Sequence, residues 1–304
     1  MGNSIYEAKR TTNTLTSGRI QTAKFLGIPV HYPEKSTVNE VLKVLEGQYP
    51  DADQYPESKF LILGNKGHEI DISDDGPGAP VPLQHQPTDV MPWGIIPLVL
   101  RPVDKDLSDD VRERYALRIL EEHHGTRYWA YYAKRISHRG KKTQDYLVQV
   151  RDGVKTITEF RYDDTHQYPT PPKLPDYNYD TVEQIVLADG DYVYTAVTIN
   201  VVLDQFDIDE LTNMARIKYK SPLKAVVSEF CLASGVDAMT QGESMVGSPF
   251  QYLEVKACQI NVFMTTFNNA AFSNGQIAYD IQIGQTEPLP LLTGAVNPNV
   301  VSNV

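Results

Sequence analysis

Four places in the sequence carry side chains of the kind that do chemistry. In DISDDG, Asp71, Ser73 and Asp75 followed by Gly76 occupy the first ligand positions of a calcium loop. Such a loop closes on a bidentate Glu at its twelfth position, and Pro82 stands there, so the stretch reads as an acidic turn. GESMVG, from Gly242 to Gly247, approaches the G-x-S-x-G elbow of a Ser hydrolase, with Val246 in place of the closing Gly. That order of residues needs a His after the Ser, and the last His of the chain is His166. His123 and His124 are adjacent in EEHHG. Neighbouring side chains point to opposite faces of a strand, so the pair does not suit one metal ion and reads as a turn. Cys231 and Cys258 lie outside any CxxC and read as small buried apolar residues in a reducing compartment. These residues give no coherent catalytic constellation. No cofactor, metal or small-molecule substrate is expected.

A stretch that could form a site must be held by elements, and the pattern of these is mostly β. KFLILGNKGHEIDIS reads as two strands around a turn at Asn65–Gly67, and the Pro- and Gly-rich DDGPGAPVPLQHQP as a loop. YALRILEEHHGTRYWAYYAKRI predicts a hairpin turning near His124 and Gly125, and DYLVQVRDGVKTITEFRY one turning at Asp152-Gly153. Further strands are expected in DYVYTAVTINVVL and near residues 223–232, 252–267 and 276–283. Helices are few. STVNEVLKVLEGQYP has a capping Thr37 with Glu40 and an apolar stripe of Val38, Val41, Leu42 and Leu45. Ser108 before Asp109 and Asp110 marks a helix start. DIDELTNMARIKY reads as the best helix of the second half, capped by Asp207 or Asp209. The expectation is a mainly β, α+β chain of antiparallel hairpins in two parts. Residues 1–30 form an extended arm, 31–165 a hairpin-rich domain, 166–180 a Pro-rich linker, 181–284 a mainly β domain and 285–304 an extended tail.

Composition narrows the role. With 304 residues the chain can bury a core without staples. A net charge of -11 argues against direct nucleic-acid binding, which needs a dense basic face. No apolar run approaches the ~20 residues of a membrane span, and MGNSIYEAKRTTNTLTSG has no apolar leader core. A soluble chain made in the cytosol is expected, without membrane contact. The 18 Tyr favour strands and interfaces.

The stretch from His85 to Ile119 crowds a His, a Trp and many charges around a short apolar core. Pro97 and Pro102 bracket LVL, as suits a strand held in a fixed bend. Arg101, Arg114 and Arg118 stand among Asp89, Asp104, Asp106, Asp109 and Asp110. Such a set can lock a loop, a short helix and a hairpin through charge-assisted bonds, or form a solvated charged surface. Either way the stretch reads as a joint rather than an active site.

LGNKGH (Leu63 to His68), LQHQPTD (Leu83 to Asp89), IPLVLRP (Ile96 to Pro102), DLS (Asp106 to Ser108), RYALR (Arg114 to Arg118) and AYYAKRI (Ala130 to Ile136) follow one another at close spacing. Together they resemble a family of virion structural proteins of tailed bacteriophages, mostly of unassigned role. The resemblance covers roughly residues 60–136 and rests on framework residues, so it transfers no catalytic residue. It implies a non-enzymatic neck, tail or baseplate subunit in the virion, partnered by other virion proteins and by copies of itself in a multi-copy ring or collar. The contact residues expected on this reading are Arg10, Arg19, Trp93, Arg101, Leu289, Leu291, Leu292 and Val300. The uncharged aliphatic tail and the basic arm are expected to lie against other subunits. Two alternatives stay open: a glycan-binding module using Trp93, Tyr128 or Tyr132, and a virion-associated cell-wall hydrolase.

Overall fold

The computed structural model describes residues 9–73, 76–151, 154–163, 167, 192–243, 249–273 and 275–288. In chain order these form β1 (Arg10–Asn13), α1 (Leu15–Leu26), α2 (Val38–Leu42), β2 (Glu57–Gly64), β3 (His68–Ser73), β4 (Gly76–Pro82), β5 (Ile95–Ile96), β6 (Val99–Pro102), α3 (Asp109–Arg112), β7 (Arg118–His123), β8 (Thr126–Tyr131) and β9 (Lys134–Arg135). There follow β10 (Gln144–Arg151), β11 (Val154–Phe160), β12 (Tyr192–Leu203), α4 (Gln205–Tyr219), β13 (Val226–Glu243), β14 (Pro249–Asn269) and β15 (Ile277–Pro288). The protein is mainly β, with antiparallel sheets and few helices, as the alternating runs predict.

The chain divides into two compact units. The first joins residues 1–138 to 200–279, and the second joins 139–199 to 280–304. The division therefore differs from a single cut at 166–180. Residues 226–269 supply the two longest strands of the first unit's sheet, so the first unit cannot end before them. Apart from Gln167, the expected linker lies outside the described residues.

In the first unit one sheet has the order β1-β14-β13-β2-β5, with β9 also on β2. Phe60, Leu61, Ile62 and Leu63 of β2 are all fully buried. Consecutive strand residues face opposite ways, so this strand is covered on both faces, and each such side chain contributes about 1.5–3 kcal/mol. The helices α1 and α2 and the strands β3 and β4 pack on β14, and α4 packs on β6. A second sheet runs β6-β8-β7, and β3 pairs only with β4. LGNKGH thus joins two strands that do not pair with each other. The Pro-rich segment expected as a loop contains β4. Pro is tolerated there because a two-stranded ribbon leaves one side of the strand without ladder bonds.

The N-terminal segment is the largest departure from the sequence reading. Residues 10–26 are not an extended arm. β1 pairs with β14, Arg10 opposite Thr265 and Asn13 opposite Val262. α1 is capped by Thr14, whose hydroxyl accepts from Ser17 N–H and itself donates to the Ile260 carbonyl at 2.7 Å. It ends at Gly27, which takes the left-handed φ of 65° that closes a helix. The buried face of α1 is Thr16, Ser17, Ile20 and Ala23, too small and polar to register as an apolar stripe.

α2 begins at the predicted Thr37 cap but stops at Leu42, because Lys43 adopts the left-handed conformation. Its expected apolar stripe is therefore not one core face: Val38 is buried and Val41 is 51% exposed. What α2 delivers is Asn39. Its Oδ1 accepts from Cys258 N–H at 2.7 Å, and its Nδ2 donates to the Val255 and Val44 carbonyls at 2.8 and 2.9 Å. Ala257, between those β14 residues, has φ 51°, and the β13 register slips between Ser234 and Val236. The Asn39 amide supplies the ladder bonds that the bulge removes. Asn39→Ala leaves two buried backbone groups and one half-buried one without partners and should cost about 3–5 kcal/mol, read as a lower urea midpoint at unchanged slope.

The second unit holds a sheet of order β11-β10-β12-β15. β10 and β11 pair in unbroken register from Asp145↔Phe160 to Arg151↔Val154, the hairpin expected from the alternation. The helix α4, back in the first unit, is capped by Asp204 rather than Asp207 or Asp209. Asp204 and Asp207 form a reciprocal capping box.

Candidate functional site

The joint read from His85 to Ile119 exists, and its anchor lies outside that stretch. Glu229, on β13, is fully buried. The pairing of β13 with β14 slips between Val227 and Glu229, and such an irregularity re-aims side chains. Ser228 Oγ accepts from Gly67 N–H at 2.9 Å. Glu229 Oε1 accepts from Trp93 N–H at 2.8 Å and lies 3.0 Å from His85 Nε2. Oε2 accepts from Lys66 N–H at 3.1 Å and Gly94 N–H at 3.3 Å. Two loops, β2–β3 through Lys66 and β4–β5 through His85, Trp93 and Gly94, therefore meet on one carboxylate.

The glycines of LGNKGH make room for it. A Cβ on Gly64 would stand 2.3 Å from Glu229 Oε2, and one on Gly67 would stand 2.5 Å from Glu229 Cγ and from the Ser228 carbonyl oxygen. His85 completes the lock. Its Nδ1 lies 2.7 Å from Asp89 Oδ2, and its ring is stacked between Trp93 at 3.7 Å and Phe263 at 3.9 Å. Its carbonyl accepts from Thr12 Oγ1 at 3.0 Å, which ties β1 to the same point. His68, edge-on to Phe267, has its pKa lowered by burial, against a raising pull from Glu229.

A second lock gathers the charges. Asp106 accepts from Arg118 Nη2 at 2.6 Å, Tyr131 Oη at 2.5 Å and Leu107 N–H at 2.8 Å. Burial, and then Asp106, hold the Tyr131 phenol well above its ordinary pKa, so it remains a donor. The Arg118 guanidinium lies 3.4 Å over the Trp129 ring, and Arg112 lies 4.0 Å over Phe250. Arg112 also donates to Asp109 Oδ1 and the Leu107 carbonyl, each at 2.6 Å. Arg101 and Arg114 do not join this set. Arg101 bonds Glu210, and Arg114 bonds Asp204 at 2.9 Å. Lys134 bonds Asp207, so β9 is tied to the start of α4. Buried charge pairs of this kind gain little over an apolar filling, but losing one partner is costly.

The predicted contact residues fall in different places. Arg10 is exposed on β1, and Arg19 is half-buried on α1. Trp93 is 42% exposed, with its N–H and its ring both committed to the lock. The Arg101 guanidinium is engaged within its own unit. Leu289, Leu291, Leu292 and Val300 lie outside the described residues. Of the residues named for glycan stacking, Tyr132 is buried and its hydroxyl bonds Glu121, so it offers no face to a sugar. Sequence reasoning missed Glu229, Arg112 and Glu254. A signal for the first was present: a Glu inside the apolar run VVSEFCLA is a residue that must be paired if buried. Among the described residues no three ligating side chains gather to hold a metal ion, and no helix is long and apolar enough to cross a membrane.

Fold and site together define a mainly β protein whose prominent charged groups are spent on holding loops to strands. The chain belongs to a family of unknown function, DUF7208, whose model matches residues 1–297. No curated protein and no solved structure matches it.

Two outcomes follow from this geometry. Glu229→Gln turns an NH₂ group toward at least one of the three backbone N–H donors and should destabilise the first unit by about 3–5 kcal/mol, seen as a lower calorimetric melting temperature. Glu254 accepts from Arg118 N–H at 3.2 Å, yet its pKa is raised, by burial first, more than its hydrogen bonds lower it. A raised folded-state pKa favours the fold below the unfolded-state value and loses that stability as pH rises through the folded-state value. Glu254→Gln should therefore gain melting temperature relative to the parent as pH rises from the acid range to neutral.

Proposed function

We propose that this chain is a structural subunit of a tailed-bacteriophage particle, of the neck, tail or baseplate, that works by assembling with copies of itself and with other virion proteins. One observation carries the reading: the motifs behind the resemblance spend their distinctive residues on framework. Gly64 and Gly67 clear space for Glu229, His85 and Asp89 close the lock, and Asp106, Arg118 and Tyr131 make the second lock. A chain selected for a rigid joint suits a part that transmits load between neighbours. The end of α1 supports the same role. Phe25 is 89% exposed and lies beside exposed Leu26 and Ile28, a grouping of the kind that marks a protein contact.

Proteomics of gradient-purified particles tests the proposal. The chain should band with infectious particles at a fixed copy number relative to the other virion proteins. Its absence from intact particles, with presence in the infected-cell lysate, overturns the reading.

A further inference from the structure

The sheet of the second unit ends on β11, which among the described residues has a neighbour on one side only. Residues 154–159 are all exposed, with Val154 at 65% and Ile157 at 58%. Soluble proteins blunt such an edge with proline, a bulge or charge, because its unpaired N–H and C=O groups template another strand. β11 has neither proline nor a register shift against β10. Its charges are Lys155 and Glu159.

The placement of those two charges is informative. The run Lys155-Thr156-Ile157-Thr158-Glu159 is symmetric about Ile157, with opposite charges at its ends. An antiparallel copy centred on Ile157 sets Lys155 opposite the partner's Glu159, Thr156 opposite the partner's Thr158, and Ile157 opposite the partner's Ile157. Val154 then faces the partner's Phe160. Each is a favourable cross-strand pair.

The backbone agrees. Only two residues separate Arg151 from Val154, which close the β10–β11 ladder. The closing pair of a two-residue hairpin exchanges hydrogen bonds, and alternate pairs do likewise. Residues 154, 156 and 158 therefore bond β10, while Lys155, Ile157 and Glu159 turn their N–H and C=O outward. Those three are the residues that the Ile157-centred register brings into bonding pairs.

We propose that β11 is a self-association edge that pairs antiparallel with β11 of a second copy across a two-fold axis, joining two four-stranded sheets into one of eight strands. The charged ends are free to serve. Lys155 lies over the Tyr192 ring at 5.3 Å on the sheet face. Among the described residues Glu159 pairs with the exposed Arg161 at 3.2 Å, a pair of little energetic weight. The inference rests on the second unit alone and not on the virion reading. A two-fold contact closes after two copies and leaves any ring-forming contact to other surfaces.

Sedimentation of the full chain over a concentration series provides the test. The parent should dimerise reversibly. Lys155→Glu and Glu159→Lys each convert two attractive pairs per dimer into repulsive ones, and each should weaken dimerisation by about thirty-fold. The double variant, Lys155→Glu with Glu159→Lys, restores both pairs and should regain the parent's affinity. Ile157→Cys sets two thiols across the axis and, with oxidised glutathione as the electron acceptor, should give a reducible covalent dimer, with Cys231 and Cys258 buried and out of reach. A parent that stays monomeric, a dimer indifferent to the single swaps, a double swap without recovery, or no cross-link at position 157 overturns the proposal. Circular dichroism of each variant, whose substitutions are all at exposed sites, separates lost pairing from lost fold.

Discussion

The first unit depends on one carboxylate taken out of water. A buried carboxyl group is tolerated only where its lone pairs are filled, and Glu229 accepts from three backbone N–H groups with His85 Nε2 beside it. The requirement propagates outward. Three backbone N–H groups can converge on the carboxylate only if their loops pass close, and Gly64, Gly67 and Gly94 leave the room for it. His85 can bridge Glu229 and Asp89 only if its ring is fixed, which the Trp93 and Phe263 faces do from both sides. The arrangement specifies one geometry more than it adds stability, since a partly satisfied network is worse than an apolar core.

The same logic recurs wherever the sheet breaks its own ladder. At Ala257 the missing β bonds are replaced by the Asn39 side chain, and at the edge of β14 by Thr14. Polar residues of α1 and α2 thus act as substitutes for strand. This explains why Thr14, at the cap of α1, and Asn39, in α2, are polar where they meet β14.

That substitution also decides what the sequence discloses. The hairpins β7–β8 and β10–β11 were legible because alternation and glycine turns are local, and the Ser108 start of α3 because a cap is local. The helix α1 was not, since its buried side chains are small and polar and carry no 3.6-residue period. The stripe on α2 misled, because Lys43 ends the helix before Val41 and Leu45 can share a face. In the His85–Ile119 stretch the pairing of Arg118 with Asp106 was readable, since both ends lie in it. Glu229, Glu210 and Asp204 were not, since their partners are about a hundred residues away in sequence. The two-unit division was hidden for the same reason: the first unit is completed by residues that come after the second has begun.

That order bears on synthesis. A ribosome delivers residues 1–138 long before Glu229, Glu254 and the strand that carries Asn39's partners. The Gly64 and Gly67 loops, His85 and the α2 turn must therefore wait with their donors and acceptors facing water, because the groups they bind emerge later. The β10–β11 hairpin needs no such delay, since its contacts are local and close early. The nascent protein consequently carries an open first unit past a finished hairpin, and a chain that stalls near residue 200 has β5 and β9 for one edge of β2 but nothing for the edge that β13 takes. Fast elongation through 200–269, or a chaperone that shields β2 until β13 arrives, is the cost of building a joint from both ends of a sequence.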